Sequence, residues 1–259
     1  MEAPVKAGEG HEVRTLADLE ALSRAAADFF VSLSLSAAAS EKRFSVALSG
    51  GSTPQRLFSL LASSPCRESI NWSSTHFFWA DERCVPKESP ESNYNLVYSM
   101  LLSRLPVPGD NIHRIRGEDG PERAARGYED LLRSLFGQQP FPVFDLIVLG
   151  AGADGHTASI FPDSEVVRER TRLAVPVYAN APKPARVTLT LPVLNNAAQV
   201  LFLASGRAKA QVLHEILEDG NPKRYPAGLV KPVHGRLTWL IDRDAARLLA
   251  QPTFPRGRS

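Results

Sequence analysis

An α/β fold carried by a mainly parallel sheet is what this sequence predicts, and two observations predict it. Short segments rich in β-branched and aromatic residues alternate with segments whose apolar residues recur at helical spacing, the pattern of strands wound with helices. The run Phe144, Leu146, Ile147, Val148, Leu149 is almost continuously apolar, as a parallel strand covered on both faces must be; a half-exposed strand would alternate.

The elements follow in order. Residues 1–13 make a polar start, expected to be flexible. Thr15 to Asp18 resembles a helix-capping box, and Leu19, Leu22, Ala26, Phe29 and Leu33 then mark a long amphipathic helix. Residues 43–48 read as a buried strand that turns through Ser49, Gly50, Gly51, Ser52 and Thr53 into a helix beginning near Pro54, a residue favoured in a first helical turn. A second strand over 76–80 closes on Asp81, Glu82 and Arg83. Helices are expected over 93–105 and 121–136, the latter with Tyr128, Leu131, Leu132 and Leu135 on one face, and a short strand over 111–115 between them. After the strand at Phe144 come strands over 173–178, 186–191 and 199–205, the last opening into a helix over 208–218. These three strand-rich segments, with few helices between them, indicate a smaller layer or a local departure from regular winding. A strand over 236–241 and a closing helix over 242–250 complete the chain. No repeat, low-complexity tract or flexible linker divides it, so residues 1–259 are read as one domain.

Composition narrows the function classes. A chain of 259 residues, 43% hydrophobic and 22% charged, is that of a globular protein able to bury a substantial core. Its net charge of +2, from 30 basic and 28 acidic residues, is too balanced for nucleic acid or an anionic membrane to be the main partner. Two cysteines, Cys66 and Cys84, read as reduced thiols rather than a disulfide framework. No segment approaches the roughly 18 consecutive apolar residues of a membrane span. The N-terminus lacks a signal peptide's apolar core, and Glu2, Glu9 and Glu12 argue against a transit peptide, so the cytoplasm is the expected location.

Chemistry concentrates where strands end. Ligands of open parallel sheets bind beyond the carboxyl ends of strands, and there the Phe144 strand enters a turn holding Gly150, Gly152, Asp154, Gly155 and His156. The three glycines spell the dinucleotide-binding G-x-G-x-x-G, yet the acidic residue expected about 20 positions later to hold a ribose is missing: the next strand ends at Ala179-Asn180. His156 is instead placed to move a proton near neutral pH, with Asp154 to fix its tautomer; Gly152 and Gly155 are candidates to form the turn and offer N–H groups to an oxyanion. The alternative is a histidine that merely caps the turn. Ser49, Gly50, Gly51, Ser52 and Thr53 expose N–H groups and hydroxyls to one point, which suits a phosphate, although a purely structural turn has the same composition. Neither a Walker loop nor a nucleophile elbow is present. Arg83, Arg186 and Lys209, at or near strand ends, are candidate cations for that phosphate, each with a solvated surface side chain as the plain alternative. Asp81 and Glu82 could bind substrate hydroxyls or orient Arg83. No His or Cys spacing suits a metal, and none is expected.

Together, SGGSTP at residues 49–54, ADER at 80–83, SNYNL at 92–96, GAGADGHTASIFP at 150–162, APKP at 181–184, RVTLTLPVLN at 186–195 and SGRAKA at 205–210 resemble the 6-phosphogluconolactonases of the pentose phosphate pathway. The resemblance covers nearly the whole chain beyond its first forty or so residues. It implies a Rossmann-like, doubly wound, mainly parallel sheet with helices on both faces. It also implies hydrolysis of 6-phospho-D-glucono-1,5-lactone, a phosphosugar lactone, without metal or organic cofactor, by a chain expected to be a monomer. His156 would take a proton from water and return it to the ring oxygen, Asp154 would orient His156, and the Ser49 loop with Arg83, Arg186 or Lys209 would hold the phosphate. Two rivals are the related glucosamine-6-phosphate deaminases and a non-catalytic sugar-phosphate binder. The deaminases share the D-G-H turn and an aspartate like Asp81, but follow the histidine with a glutamate where this chain has Thr157-Ala158-Ser159-Ile160-Phe161.

Overall fold

A computed structural model describes residues 5–8, 11–137, 139–178, 182–218 and 224–250. Its strands are β1 (Val5–Gly8), β2 (His11–Leu16), β3 (Phe44–Leu48), β4 (Thr75–Trp79), β5 (Asp81–Arg83), β6 (Ile112–His113), β7 (Leu146–Gly150), β8 (Ala174–Val177), β9 (Arg186–Leu189), β10 (Gln199–Ala204) and β11 (Arg236–Asp242). Its helices are α1 (Leu19–Ala39), α2 (Gln55–Leu61), α3 (Cys66–Ser69), α4 (Asn93–Met100), α5 (Pro121–Phe136), α6 (Leu191–Leu194) and α7 (Ala210–Leu217).

Eight strands make one sheet in the order β1-β2-β11-β10-β7-β3-β4-β6, parallel throughout except for β1 against β2. From β3 the chain winds outward to β4 and β6, returns to β7 on the other side of β3, and winds outward again through β10 and β11. The order therefore reverses between β3 and β7, and a crevice opens beyond their carboxyl ends. A second, antiparallel sheet, β5-β9-β8, stands apart as the smaller strand-rich layer. It takes Asp81–Arg83 from the end of β4's segment, while β10 joins the main sheet.

The main sheet is covered on both faces because its central strands have no polar side. All five residues of β3 are buried. Phe44 meets Phe30 of α1 edge-on, with ring centroids 5.2 Å apart. On the opposite face Phe78, the register neighbour of Ala47, packs on Phe136 of α5 at 5.5 Å and on Phe144 at 5.1 Å. Each ring removed from water in this way contributes roughly 1.5–3 kcal/mol. Polar ties fix the strand starts and ends: the Asp145 carboxylate accepts the Ser45 N–H at 2.7 Å and its hydroxyl at 2.6 Å. The Tyr128 hydroxyl of α5 accepts the Trp79 N–H and donates to the Trp79 carbonyl, both at 2.9 Å.

Three expectations are corrected. The start expected to be flexible through residue 13 instead supplies β1 and β2, because Val13 and Leu16 are buried and β2 pairs along β11; residues 1–4 and 9–10 lie outside the described residues. The cap of α1 is Asp18, whose carboxylate accepts the Ala21 N–H at 2.8 Å, while Thr15 lies in β2 opposite Ile241. Where a helix is expected over 242–250, Asp242 still belongs to β11 and residues 243–248 form turns. There the Asp242 carboxylate is engaged by the Ser205 hydroxyl at 2.5 Å, the Gly206 N–H at 3.1 Å and the Ala245 N–H at 2.8 Å, which draws the chain around the end of β11.

At the far edge of the sheet His76 of β4 and His113 of β6 stack and share a hydrogen bond of 3.0 Å between Nδ1 and Nε2. Burial, then the neighbouring His76 and Arg43, hold His113 down to about 4, against a smaller opposing pull from Asp110. An unfolded imidazole titrates near 6.5, so between those values the unfolded chain binds the extra proton and stability falls as pH falls. We predict that the unfolding midpoint in denaturant drops progressively from about pH 6.5 to about pH 4. His113→Gln should flatten that drop; a variant whose stability tracks the parent across this window would contradict the assignment.

Candidate functional site

The crevice at the β3–β7 reversal is a cleft of about 220 Å³. One wall is the loop after β3. Ser49, Gly50, Gly51, Ser52 and Thr53 all line the cleft, and the Ser49 N–H is spent on the Val148 carbonyl of β7 at 3.1 Å. Among the described residues the N–H groups of Gly50, Gly51, Ser52 and Thr53 donate to no protein acceptor. The helix that follows, α2, has only seven residues and no side-chain cap, so an anion here is held by the loop's own donors rather than by a long helix dipole.

The facing wall is the turn after β7. Gly152 donates its N–H to the His156 carbonyl at 2.8 Å and Gly155 donates to the Gly152 carbonyl at 3.0 Å. Both amides are consumed in closing the turn, which corrects the expectation that they serve an oxyanion; their part is to shape the loop. A Cβ on Gly152 would lie 2.1 Å from His156 Nδ1 and 2.4 Å from Asp154 Oδ1, so only glycine lets the pair lie over the main chain. Gly155 has φ +80° and lies against the Tyr225 ring, 2.3 Å from where a Cβ would be; Tyr225 is itself tied through its hydroxyl to Glu215. In the space so made, His156 Nδ1 meets Asp154 Oδ1 at 2.6 Å. A carboxylate can only accept, so Nδ1 carries a proton, and in the neutral tautomer Nε2 is the nitrogen with the lone pair. Burial pushes the Asp154 carboxyl up, but the His156 backbone and ring donors outweigh it and hold the group below the ordinary aspartate value. The His156 side chain is 32% exposed and lines the cleft; Asp154 sits behind it, outside the lining.

The third wall comes from the small sheet. Arg83 of β5 and Arg186 of β9 are register partners, which puts two guanidinium groups side by side over the cleft. Burial first, and Arg83 second, lower the Arg186 pKa from its ordinary value. Arg83 Nη1 is held by the Glu91 carbonyl at 2.5 Å. Lys209, half-buried after β10, also lines the cleft; burial lowers its pKa, and Asp154 opposes that. Among the described residues, Ser49 Oγ, Arg83 Nε, Arg186 Nε and Asn93 Oδ1 are buried without a hydrogen-bond partner. A folded protein rarely leaves such groups unpaired. Three of these can donate, and with the free loop amides and three cations they are complementary to an anion, while Asn93 Oδ1 can accept from a ligand hydroxyl.

Sequence reasoning missed Asn93, at the start of α4, whose Nδ2 donates to the Asp81 carbonyl at 2.9 Å and to its carboxylate at 3.2 Å. Its place in the SNYNL motif at 92–96 was the local signal. Asp81 lines the cleft, but its other oxygen accepts the Ser159 hydroxyl at 2.6 Å. Glu82 is corrected: it binds no substrate hydroxyl, because its carboxylate is filled by the N–H groups of Arg83, Asn93 and Tyr94 and by the Ser92 hydroxyl, which fixes the start of α4. Of the APKP motif, Ala181 lies outside the described residues, as do Ala179 and Asn180. Among the described residues no group of three or more His, Cys, Asp or Glu is placed to hold a metal, and no helix is long and apolar enough to cross a membrane.

A family profile described as glucosamine-6-phosphate isomerases/6-phosphogluconolactonase matches residues 17–239. The chain is 45% identical to human 6-phosphogluconolactonase over 221 residues, which covers 83% of this chain and 84% of that protein. Against the 6-phosphogluconolactonase of Haemophilus influenzae it is 40% identical over 79% of this chain and 87% of the other. Among solved structures, 6-phosphogluconolactonase from Trypanosoma brucei superposes with a TM-score of 0.83 at 30% identity, covering 94% of this chain and all of that one. A monomeric glucosamine-6-phosphate deaminase, at 22% identity, TM-score 0.77 and coverage of 91% and 99%, shares the fold.

We predict that Gly152→Ala separates His156 from Asp154 while the chain still folds. Nitrogen-15 NMR of the imidazole should report the Nδ1–H tautomer in the parent and its loss in the variant. An unchanged tautomer would mean that the turn does not enforce the pair.

Proposed function

The chain belongs to the family of glucosamine-6-phosphate isomerases and 6-phosphogluconolactonases, and we infer that its cleft hydrolyses 6-phospho-D-glucono-1,5-lactone to 6-phospho-D-gluconate. This is the second step of the oxidative pentose phosphate pathway and makes the chain a carboxylic ester hydrolase. The observation that carries the reading is the Asp154–His156 pair on one wall of a cleft whose other walls present unpartnered anion donors.

A lactone is an activated ester, so its hydrolysis needs a base for water, charge near the developing oxyanion and a proton for the leaving ring oxygen. His156 Nε2 takes a proton from water as the water oxygen attacks C1. The imidazolium formed is stabilised by Asp154. When the tetrahedral intermediate collapses, the C1–O5 bond breaks and the same proton passes from Nε2 to the C5 oxygen, leaving the acid product and a neutral ring. Water is the only co-reactant. With the Gly152 and Gly155 amides spent, Lys209, which lines the cleft and feels the Asp154 charge, is the cation assigned to offset the oxyanion. The loop amides of Gly50 to Thr53, with Arg83 and Arg186, hold the phosphate at the opposite end.

A ring-opening deaminase is disfavoured by two contacts. The Asp81 carboxylate, which would have to move protons, is tied by Asn93 and Ser159. At the place where the deaminases carry a glutamate after the histidine, this chain presents the Phe161 ring to His156, with centroids 4.8 Å apart. The cleft is built within one chain, which supports a monomer, and two unpaired cysteines suit a reducing cytoplasm.

We predict that His156→Gln lowers kcat by roughly 10²–10⁴-fold with KM close to the parent value. Arg83→Ala should leave kcat within a few-fold and raise KM by about tenfold or more, the cost of one charge-assisted bond to phosphate. Continuous titration of acid released from fresh lactone, with spontaneous hydrolysis subtracted, measures both. Parent-like turnover in His156→Gln would remove the assigned base.

A further inference from the structure

Phe161 touches both working ends of the site without lining the cleft. The chain after His156 folds back at once: Thr157 and Ile160 exchange N–H to carbonyl bonds of 3.3 and 2.9 Å, with Ala158 at φ +47° between them. That reversal returns residue 161 to His156, so its ring centroid sits 4.8 Å from the imidazole at an angle of 40°. Arg186 reaches the same ring from β9, with Cζ 5.5 Å from the centroid. Among the described residues the Arg186 guanidinium makes one hydrogen bond to protein, a long one of 3.4 Å from Nη1 to the Ser159 hydroxyl, and Nε is unpartnered. The aromatic ring is thus one surface against which this weakly bonded guanidinium rests.

We propose that Phe161 is a positioning residue that holds the His156 ring and the Arg186 guanidinium in one fixed relation, an inference that rests on the phosphate reading of Arg186. The flat, electron-rich face of an aromatic ring attracts a cation and restricts its plane, so Nε stays aimed at the anion while Ser159 holds the other side. Packing against the same ring limits rotation of the imidazole, whose other edge is held by Asp154. A leucine would fill much of the space but offer no such face. A carboxylate would pair with Arg186 and cancel its charge toward phosphate.

Kinetics of Phe161→Leu, Phe161→Tyr, Arg186→Ala and the double variant Phe161→Leu/Arg186→Ala on the phosphorylated lactone test this. Phe161→Leu should raise KM roughly three- to thirtyfold and lower kcat severalfold, whereas Phe161→Tyr, which keeps the ring, should restore both. In the Arg186→Ala background Phe161→Leu should change KM no further, because the group it positions is gone; simple loss of folded protein would lower apparent kcat in either background and leave KM alone. A parent-like KM in Phe161→Leu, or KM effects that multiply in the double variant, would overturn the proposal. If Arg186→Ala raises KM while Phe161→Leu does not, the positioning role alone falls; if Arg186→Ala leaves KM unchanged, the phosphate assignment of Arg186 falls and takes the proposal with it.

Discussion

Everything at this site depends on β3 and β7 lying side by side with their outer connections diverging. The Ser49 N–H bonded to the Val148 carbonyl marks the last point at which the two strands are joined. Beyond it one chain turns toward α2 and the other into the His156 turn, and neither loop can cover the gap. Main-chain amides freed on one side and an imidazole held on the other then face a common space. The buried strands supply the rigidity that a proton transfer requires, since a base displaced by about an ångström can lose on the order of 10²-fold in rate.

The second constraint is electrostatic. Two arginines placed opposite each other in an antiparallel pair repel, and burial makes the repulsion costlier. Asp81 offsets part of it, and its own charge is steadied by Asn93 and Ser159. Two like charges in this register are an unfavourable arrangement that a bound dianion would relieve. In this sense Asp81 and Glu82, adjacent in sequence, divide the work: one balances the guanidinium pair, the other fixes α4 and with it Asn93.

Much of this was legible in the sequence because it is encoded locally. The unbroken apolar run before Gly150 announced a covered parallel strand, and glycine-rich turns at strand ends announced the loops that line the cleft. His156 and Asp154, two positions apart, needed no tertiary knowledge to be paired. What remained hidden depends on contacts distant along the chain. Asn93 reaches Asp81 only because α4 docks beside β5. The consumption of the Gly152 and Gly155 amides is a property of the closed turn, invisible in composition. Val13 looks like part of a polar tail and Leu16 like part of a helix cap until β11, more than 200 residues later, is there to pair with them. The helical pattern after residue 242 was overridden by the Asp242 carboxylate, which binds Ser205 and Gly206 across the strand ends. Phe161 was marked only as part of the segment that replaces a glutamate, and its position against His156 and Arg186 follows from a two-residue turn and a strand of another sheet.

The central claim is an orientation: phosphate at the Ser49 loop and the arginines, carboxyl carbon at the imidazole. A crystal structure with 6-phosphogluconate bound tests it most directly. The phosphate oxygens should lie within hydrogen-bond distance of the Gly50 to Thr53 amides and of Arg83 or Arg186, with C1 of the product within about 4 Å of His156 Nε2. A product lying the other way round, with its phosphate against His156 and C1 over the loop, would contradict the account.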